Sequence, residues 1–399
     1  MDKSSFPIHF RFLDGLRGLA ALYVVLYHAQ TMLREDLPKR IWLGLFPLEL
    51  GRFSVTIFIV LSGYCLMLPI ARSANQRLNG GFAGYMKRRS RRILPPYYAA
   101  LVLSLLLATV FPYLHPYNVG RTPGTLNDFT YSVILSHSLL LDNLSVGWAS
   151  KINSPMWSVA TEFQIYFLFP SLLIPLWRRF GLTAMVIIGF IIGLTPFLVF
   201  HLSDLCSPWF LGVFATGVAG AIISFSDNDR IVRLRESVMW DKVAAAIFLL
   251  FFTAILGIRI AGLENAMREN FRWILDMVLG LGTTSLIIYC TKHCLKQADS
   301  VLPADTKPWL LRLLESRVAV TLGLFSYSLY LIHNPLLELG HYQLARLHGA
   351  PPVQLCGMFL CIVPLTIAAS YAFYLAVERR FSGAKPTTRA KLFLHERAG

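Results

Sequence analysis

The sequence predicts an all-α polytopic membrane protein, a bundle of about ten transmembrane helices with both termini cytoplasmic. Three observations predict it. Hydrophobic residues make up 55% of the 399 positions against 15% charged, the mean hydropathy is +0.55, and Lys and Arg concentrate on alternate connections between apolar stretches. A hydrocarbon core of about 30 Å takes roughly 20 mostly apolar residues per crossing, and ten windows meet that requirement.

In chain order the windows are Phe12–Met32, Phe53–Ile70, Ile93–Phe111, Trp157–Trp177, Leu182–Leu202, Pro208–Phe225, Val243–Ala261, Trp273–Cys290, Val318–Leu339 and Leu355–Val377. The first is too long and too interrupted by charge for a cleavable signal segment, so it is read as a retained helix. Pro95 and Pro96 mark the first turn of the third, where a missing N–H costs little. Gly212, Thr216 and Gly220, four apart in the sixth, read as a small-residue packing stripe. The apolar stretch Phe129–Asp142 has 14 residues and suits an interfacial or re-entrant segment better than a span.

The formal charge of +15 raises the question of a nucleic-acid partner, and its distribution answers it. With a cytoplasmic N-terminus, 26 Lys and Arg fall on the inner side and 10 on the outer, with Arg17 set aside inside the membrane. The heaviest inner contributors are Arg72, Arg77, Lys87, Arg88, Arg89, Arg91 and Arg92, and the tail with Arg379, Arg380, Lys385, Arg389, Lys391 and Arg397. The excess is accounted for by the positive-inside rule, and no nucleic acid is needed. Residues 1–380 read as one membrane-embedded domain and 381–399 as a basic cytoplasmic tail. The six cysteines form no C-x-x-C motif and read as small apolar packing residues, with no metal site.

Ionisable groups inside the apolar windows are the candidates for chemistry. Asp14, Arg17 and His28 share one face of the first helix, since eleven residues come to about three turns, or about 16 Å of rise. An intramembrane Arg costs about 2.5 to 3.5 kcal/mol on the lenient insertion scale, so such groups face a bundle interior or a watery cavity. Counting from the predicted outer ends, His28, Glu162 and His333 come to one depth in the outer third. A His beside a carboxylate is the arrangement general-base catalysis needs; the same groups also suit a proton-relaying transporter. Asp276 reaches a similar level, where a surface pair with Arg272 is the simpler reading. Arg88, Arg89 and Arg92 offer guanidinium forks suited to phosphates, and anionic lipid is an equal claimant for them. Ser62-Gly63 lacks the flanks of a nucleophile elbow and reads as a close helix contact.

Five stretches resemble one family. The segments "LDGLRGLAALYVVLYH", "FIVLSGYCL", "RRSRRILPPYY", "WSVATEFQIYFLFP" and "FSYSLYLIHNPLL" are similar, in that order, to the signatures of the membrane-bound acyltransferase family 3 proteins, bacterial O-acyltransferases. The closing "VERRF" departs from the pattern, with Arg380 where many members carry Pro. The resemblance implies an inner-membrane enzyme that transfers an acyl group, commonly acetyl from cytoplasmic acetyl-CoA, to a hydroxyl of a carbohydrate or lipid-linked glycan acceptor. It lends His28 a catalytic role and the arginines a part in donor handling; on the layout of the residues, Glu162 would orient or charge-balance His28 and Arg17 would hold the donor or the transferring carbonyl. Arg88, Arg89 and Arg92 are then donor-binding candidates. His333, Tyr330, Asp14 and Ser62 are cavity or acceptor-side candidates. Direct transfer and an acyl-histidine relay both stay open, and the other class of reading is a transporter or flippase of a lipid-linked sugar or small anion.

Overall fold

A computed structural model of the protein describes residues 9–34, 38, 41, 44–73, 75–111, 129–149, 151–200, 206–263, 271–298, 307–347 and 350–381. Among these, regular structure is entirely helical. The main helices are α1 (Arg11–Met32), α2 (Ser54–Ala71), α3 (Gly81–Val110), α4 (Tyr131–Ser138), α5 (Met156–Leu168), α6 (Ile174–Phe200), α7 (Phe210–Phe225), α8 (Asp229–Ser237), α9 (Trp240–Ile260), α10 (Arg272–Ala298), α11 (Arg317–Leu324), α12 (Ser326–Arg346) and α13 (Val363–Ala376). The tail cations Lys385, Arg389, Lys391 and Arg397 lie outside the described residues.

Among the described residues the apolar windows fall mainly on helix, but the membrane-crossing count is more conservative than the windows. Six described helices are long and apolar enough to cross, or seven if α7 and α8, bent by 97°, make one span. Two physical differences separate these counts from ten. Helices α1 and α12, of 22 and 21 residues, have the length but carry too many polar side chains to qualify. The run Met156–Val199 counts once at 44 residues, about 66 Å if straight, yet Gly181 at φ +83° breaks it, a conformation natural to glycine. The ninth window is not one helix either. It is divided into α11 and α12 at Phe325. The Phe129–Asp142 stretch forms only the eight-residue α4 and the start of a short 3-10 turn, too short to cross.

Small residues set the tightest packing. Between α2 and α7, a Cβ at Gly63 would lie 2.2 Å from the Phe214 carbonyl oxygen, and one at Gly217 2.1 Å from that of Val60. Between α1 and α11, a Cβ at Gly18 would lie 2.3 Å from the Ala319 oxygen, and one at Gly323 2.1 Å from that of Asp14. Backbones meet directly at both crossings, the arrangement that gives van der Waals contact where lipid offers no hydrophobic drive. Gly63 is thus a packing residue, as its sequence context suggests. The second crossing also fixes the backbone of Asp14, and with it the direction of Arg17 one turn on.

Asp276 corrects the surface-pair reading. It is fully buried on α10, accepts from Thr56 Oγ1 at 2.5 Å and Trp209 Nε1 at 3.0 Å, and faces Arg52 at 3.9 Å. It ties α2, α7 and α10 together and belongs to the framework rather than to a cavity. All six cysteines are free.

Candidate functional site

A cavity opens at the end of the bundle that carries the start of α3, and spans about 1160 Å³ together with the open space at its mouth. Five helices and the turn after α13 furnish its polar wall. Asp14 and Arg17 come from α1, Ser62 and Cys65 from α2, Arg89 and Arg92 from α3, Ser158, Glu162 and Tyr166 from α5, Tyr330 from α12, and Glu378 from the last turn. Arg89 and Arg92 reach it because positions 85, 89, 92 and 96 share one face of α3. Arg92 stays solvent-accessible there. Arg88 turns the other way. It is exposed, donates to the Asn79 carbonyl at 2.6 Å and does not line the cavity that Arg89 and Arg92 enter.

Deeper in, Arg17 lies 3.7 Å from Asp14 Oδ1 and 3.7 Å from Cys65 Sγ. Ser62 and Tyr166 both donate to one oxygen of Glu162, Tyr166 at 2.6 Å. The Glu378 carboxylate accepts from the Ser328 N–H at 3.0 Å and its hydroxyl at 2.5 Å. It thereby occupies free donors in the first turn of α12, exposed where the helix restarts after Phe325. Arginines and carboxylates thus alternate around one enclosed space. Among the described residues no group of three or more His, Cys, Asp and Glu is placed to hold a metal.

The far end of the cavity is closed by rings. Phe58 meets Tyr330 edge to face at 5.8 Å between centroids. The Tyr330 hydroxyl is fixed by Ser158 at 2.5 Å and the Pro155 carbonyl at 3.1 Å. Behind Tyr330 stands His333, at 5.8 Å, and against His333 stands His28, at 5.1 Å. Neither imidazole lines the cavity.

This corrects the sequence-derived depths. His28 and His333 do meet, but Glu162 does not join them. Its carboxylate is engaged by Ser62 and Tyr166 near Arg17 instead. The reason lies in where α5 begins. The Tyr330 hydroxyl donates to Pro155, and Asn153 to the Leu331 carbonyl at 2.8 Å, so α5 starts inside the bundle at the level of Tyr330. Seven residues further, Glu162 is roughly 10 Å nearer the mouth.

The sequence signature of an acyltransferase domain matches residues 10–375, nearly the whole span that forms these helices. The chain belongs to acyltransferase family 3. A Staphylococcus aureus (strain COL) protein provisionally named an O-acetyltransferase is 24% identical over 396 residues, covering 92% of this chain and 56% of the relative. The peptidoglycan O-acetyltransferase OatA of Listeria monocytogenes is 28% identical over 168 residues, 41% of this chain and 24% of that protein. A Bacillus subtilis (strain 168) protein, provisionally named a peptidoglycan O-acetyltransferase, is 28% identical over 164 residues, 41% of this chain and 23% of the relative. The chain therefore spans about half the length, or less, of these relatives. No solved structure matches.

Within this acyltransferase-family domain, the sequence reading missed Phe58, Ser158 and Glu378 as parts of the site. Ser158 and Tyr166 flank Glu162 at i−4 and i+4, a spacing that puts all three on one helix face. Glu378, an acid at the end of an apolar run and followed by two arginines, reads from sequence as a helix terminus. The break at Phe325 brings it Ser328 as a partner.

Proposed function

We propose that the chain transfers an acyl group, acetyl in the simplest case, from acyl-CoA to a hydroxyl of a cell-envelope or exported carbohydrate. The observation that carries this reading is a juxtaposition with different chemistry on the two sides of one pair of rings. Arg17, Arg89 and Arg92 stand in the open cavity, and His28 and His333 stand directly behind the rings that close it.

The charge bias of the loops puts the mouth on the cytoplasmic side, where acyl-CoA is made. Arg89 and Arg92 then take the phosphates through charge-assisted bonds, and the pantetheine arm runs inward past Arg17. At the far end His28 takes the proton of the acceptor hydroxyl. The hydroxyl oxygen forms its bond to the thioester carbon, the C–S bond breaks, and the proton passes to the departing thiolate, so that CoA leaves as the thiol. Base catalysis of this kind contributes about 10² to 10⁴ in rate. Glu162 offsets the charge of the arginines in the donor cavity. The names of the relatives make peptidoglycan one acceptor class to test beside exported polysaccharides.

Purified protein incubated with acetyl-CoA labelled in the acetyl group tests the reading. Release of free CoA, with label in a glycan acceptor, supports it. Movement of a lipid-linked sugar across the bilayer with no consumption of the thioester would overturn it in favour of a transporter.

A further inference from the structure

His333 is fully buried on α12. Its Nδ1 lies 2.8 Å from the Tyr330 carbonyl oxygen and 3.1 Å from that of Leu329. Carbonyl oxygens only accept, so the single proton of the neutral ring must sit on Nδ1. Nε2 is then a lone pair, and it is buried with no hydrogen-bond partner. A buried acceptor without a donor is costly, and the polar ring packed against it is that of His28, at 5.1 Å between centroids.

We propose that His333 is a positioning residue that fixes the tautomer of His28. The two rings pack without a bond at Nε2 in the structure; a small rotation of the His28 ring brings its N–H to Nε2, which has only a lone pair to offer. The other His28 nitrogen is left as the free base that meets the acceptor hydroxyl. When His28 gains the proton, its imidazolium holds the first proton against His333, and no carboxylate is involved. A neutral imidazole thus fills the orienting role that a Ser-His-Asp triad gives to a carboxylate. The orienting group is itself built into the cavity wall, because the Tyr330 residue that supplies one of its carbonyls also closes the cavity with its ring. This inference rests on the acyl-transfer reading with His28 as the base.

Two measurements test it. In protein labelled with 15N-histidine, with resonances assigned through the His28→Ala and His333→Met variants, His333 is expected to show a protonated Nδ1 and a bare Nε2. His28 is expected to show one tautomer in the wild type and a mixture in His333→Met. In kinetics, His333→Met is expected to lower kcat by about 10²-fold or more with the KM for acetyl-CoA unchanged. His333→Gln, whose amide oxygen restores an acceptor near the position of Nε2, is expected to recover at least tenfold of that loss. Protonation of His333 on Nε2, an unchanged His28 signal in His333→Met, or equal rates for the Gln and Met variants would overturn it. If His333→Met fails to fold, the wild-type spectrum decides alone. A wild type with the expected spectrum that never releases CoA would overturn the acyl-transfer reading, whereas turnover with the wrong protonation overturns only the role of His333.

Discussion

Phe58 and Tyr330 meet edge to face, 5.8 Å between ring centroids, across the end of the cavity that faces His28 and His333. The hydroxyl of Tyr330 is held at 2.5 Å by Ser158 and at 3.1 Å by the Pro155 carbonyl, so the ring is fixed to the same helix that carries Glu162. A donor thioester entering from the mouth reaches these rings before it reaches an imidazole. In the proposed reaction they would limit acyl length and keep water from the thioester.

Phe58→Ala is expected to widen this end. Butyryl-CoA and longer donors should gain at least tenfold in kcat/KM relative to acetyl-CoA, and CoA release without acceptor should rise severalfold. Steady-state assays over a donor series check both. An unchanged donor preference would show that the rings do not bound the acyl site.

For the basic mouth the expectation is a contrast within one helix turn. Arg89→Gln and Arg92→Gln each remove a guanidinium that lines the cavity, and each should weaken CoA binding by about 10-fold or more, a charged hydrogen bond being worth about 1.5 to 3 kcal/mol. Arg88→Gln, bonded to Asn79 outside the cavity, should bind CoA as the wild type does. Calorimetry on the three variants measures the difference directly. Equal losses at all three positions would mean general surface electrostatics instead.

Asp276 is expected to matter for stability more than for turnover. Its side chain accepts from Thr56 and Trp209 with no exposure to solvent, so Asp276→Ala leaves two buried donors unpaired at about 1 to 3 kcal/mol each. The thermal unfolding midpoint in detergent should fall by several degrees, while folded protein keeps its KM for acetyl-CoA. A shifted KM at unchanged stability would place Asp276 in the site.

Outside the spanning helices, burial pushes the Asp142 carboxyl up to about 7, beside the buried His137, whose Nε2 lies 3.9 Å away. An acid raised in the fold binds more protons folded than unfolded. Its contribution to stability is therefore fully present below about pH 4 and is lost as the pH rises to about 7. Asp142→Asn should remove that fall, so that stability rises with pH relative to the wild type between pH 4 and 7, because burial holds the neighbouring His137 below the usual imidazole range and its contribution runs the other way. Chemical denaturation at several pH values checks it, and parallel curves for the two proteins would contradict it.

Much of this site is legible in the chain because lipid punishes charge. Arg17 and Asp14 in an apolar helix have to face inward, and both line the cavity together with Ser62 and Tyr330. The 89/92 spacing on α3 likewise separates the arginines that enter the cavity from Arg88. Depth is the part a sequence does not carry. A depth counted along an apolar window presumes that the helix starts at the membrane surface, whereas α5 begins within the bundle, held there by Asn153 and Pro155, which moves Glu162 away from His28. The break at Phe325 is hidden for a related reason. Its residues are apolar enough to continue a helix, and it is stabilised by a distant carboxylate, Glu378, acting on the new helix start. Asp276 is concealed in the same way, since its two donors come from helices far away in the chain.

The central claim is that His28, behind the rings, performs the transfer for which the arginine-lined cavity holds the donor. Its most direct test is glycan labelling from acetyl-labelled acetyl-CoA in membranes containing either the wild type or His28→Ala at equal folded amounts. Labelled glycan in the first and a loss of at least 10²-fold in the second, with CoA binding retained, is the predicted result. Undiminished labelling by His28→Ala would contradict the account.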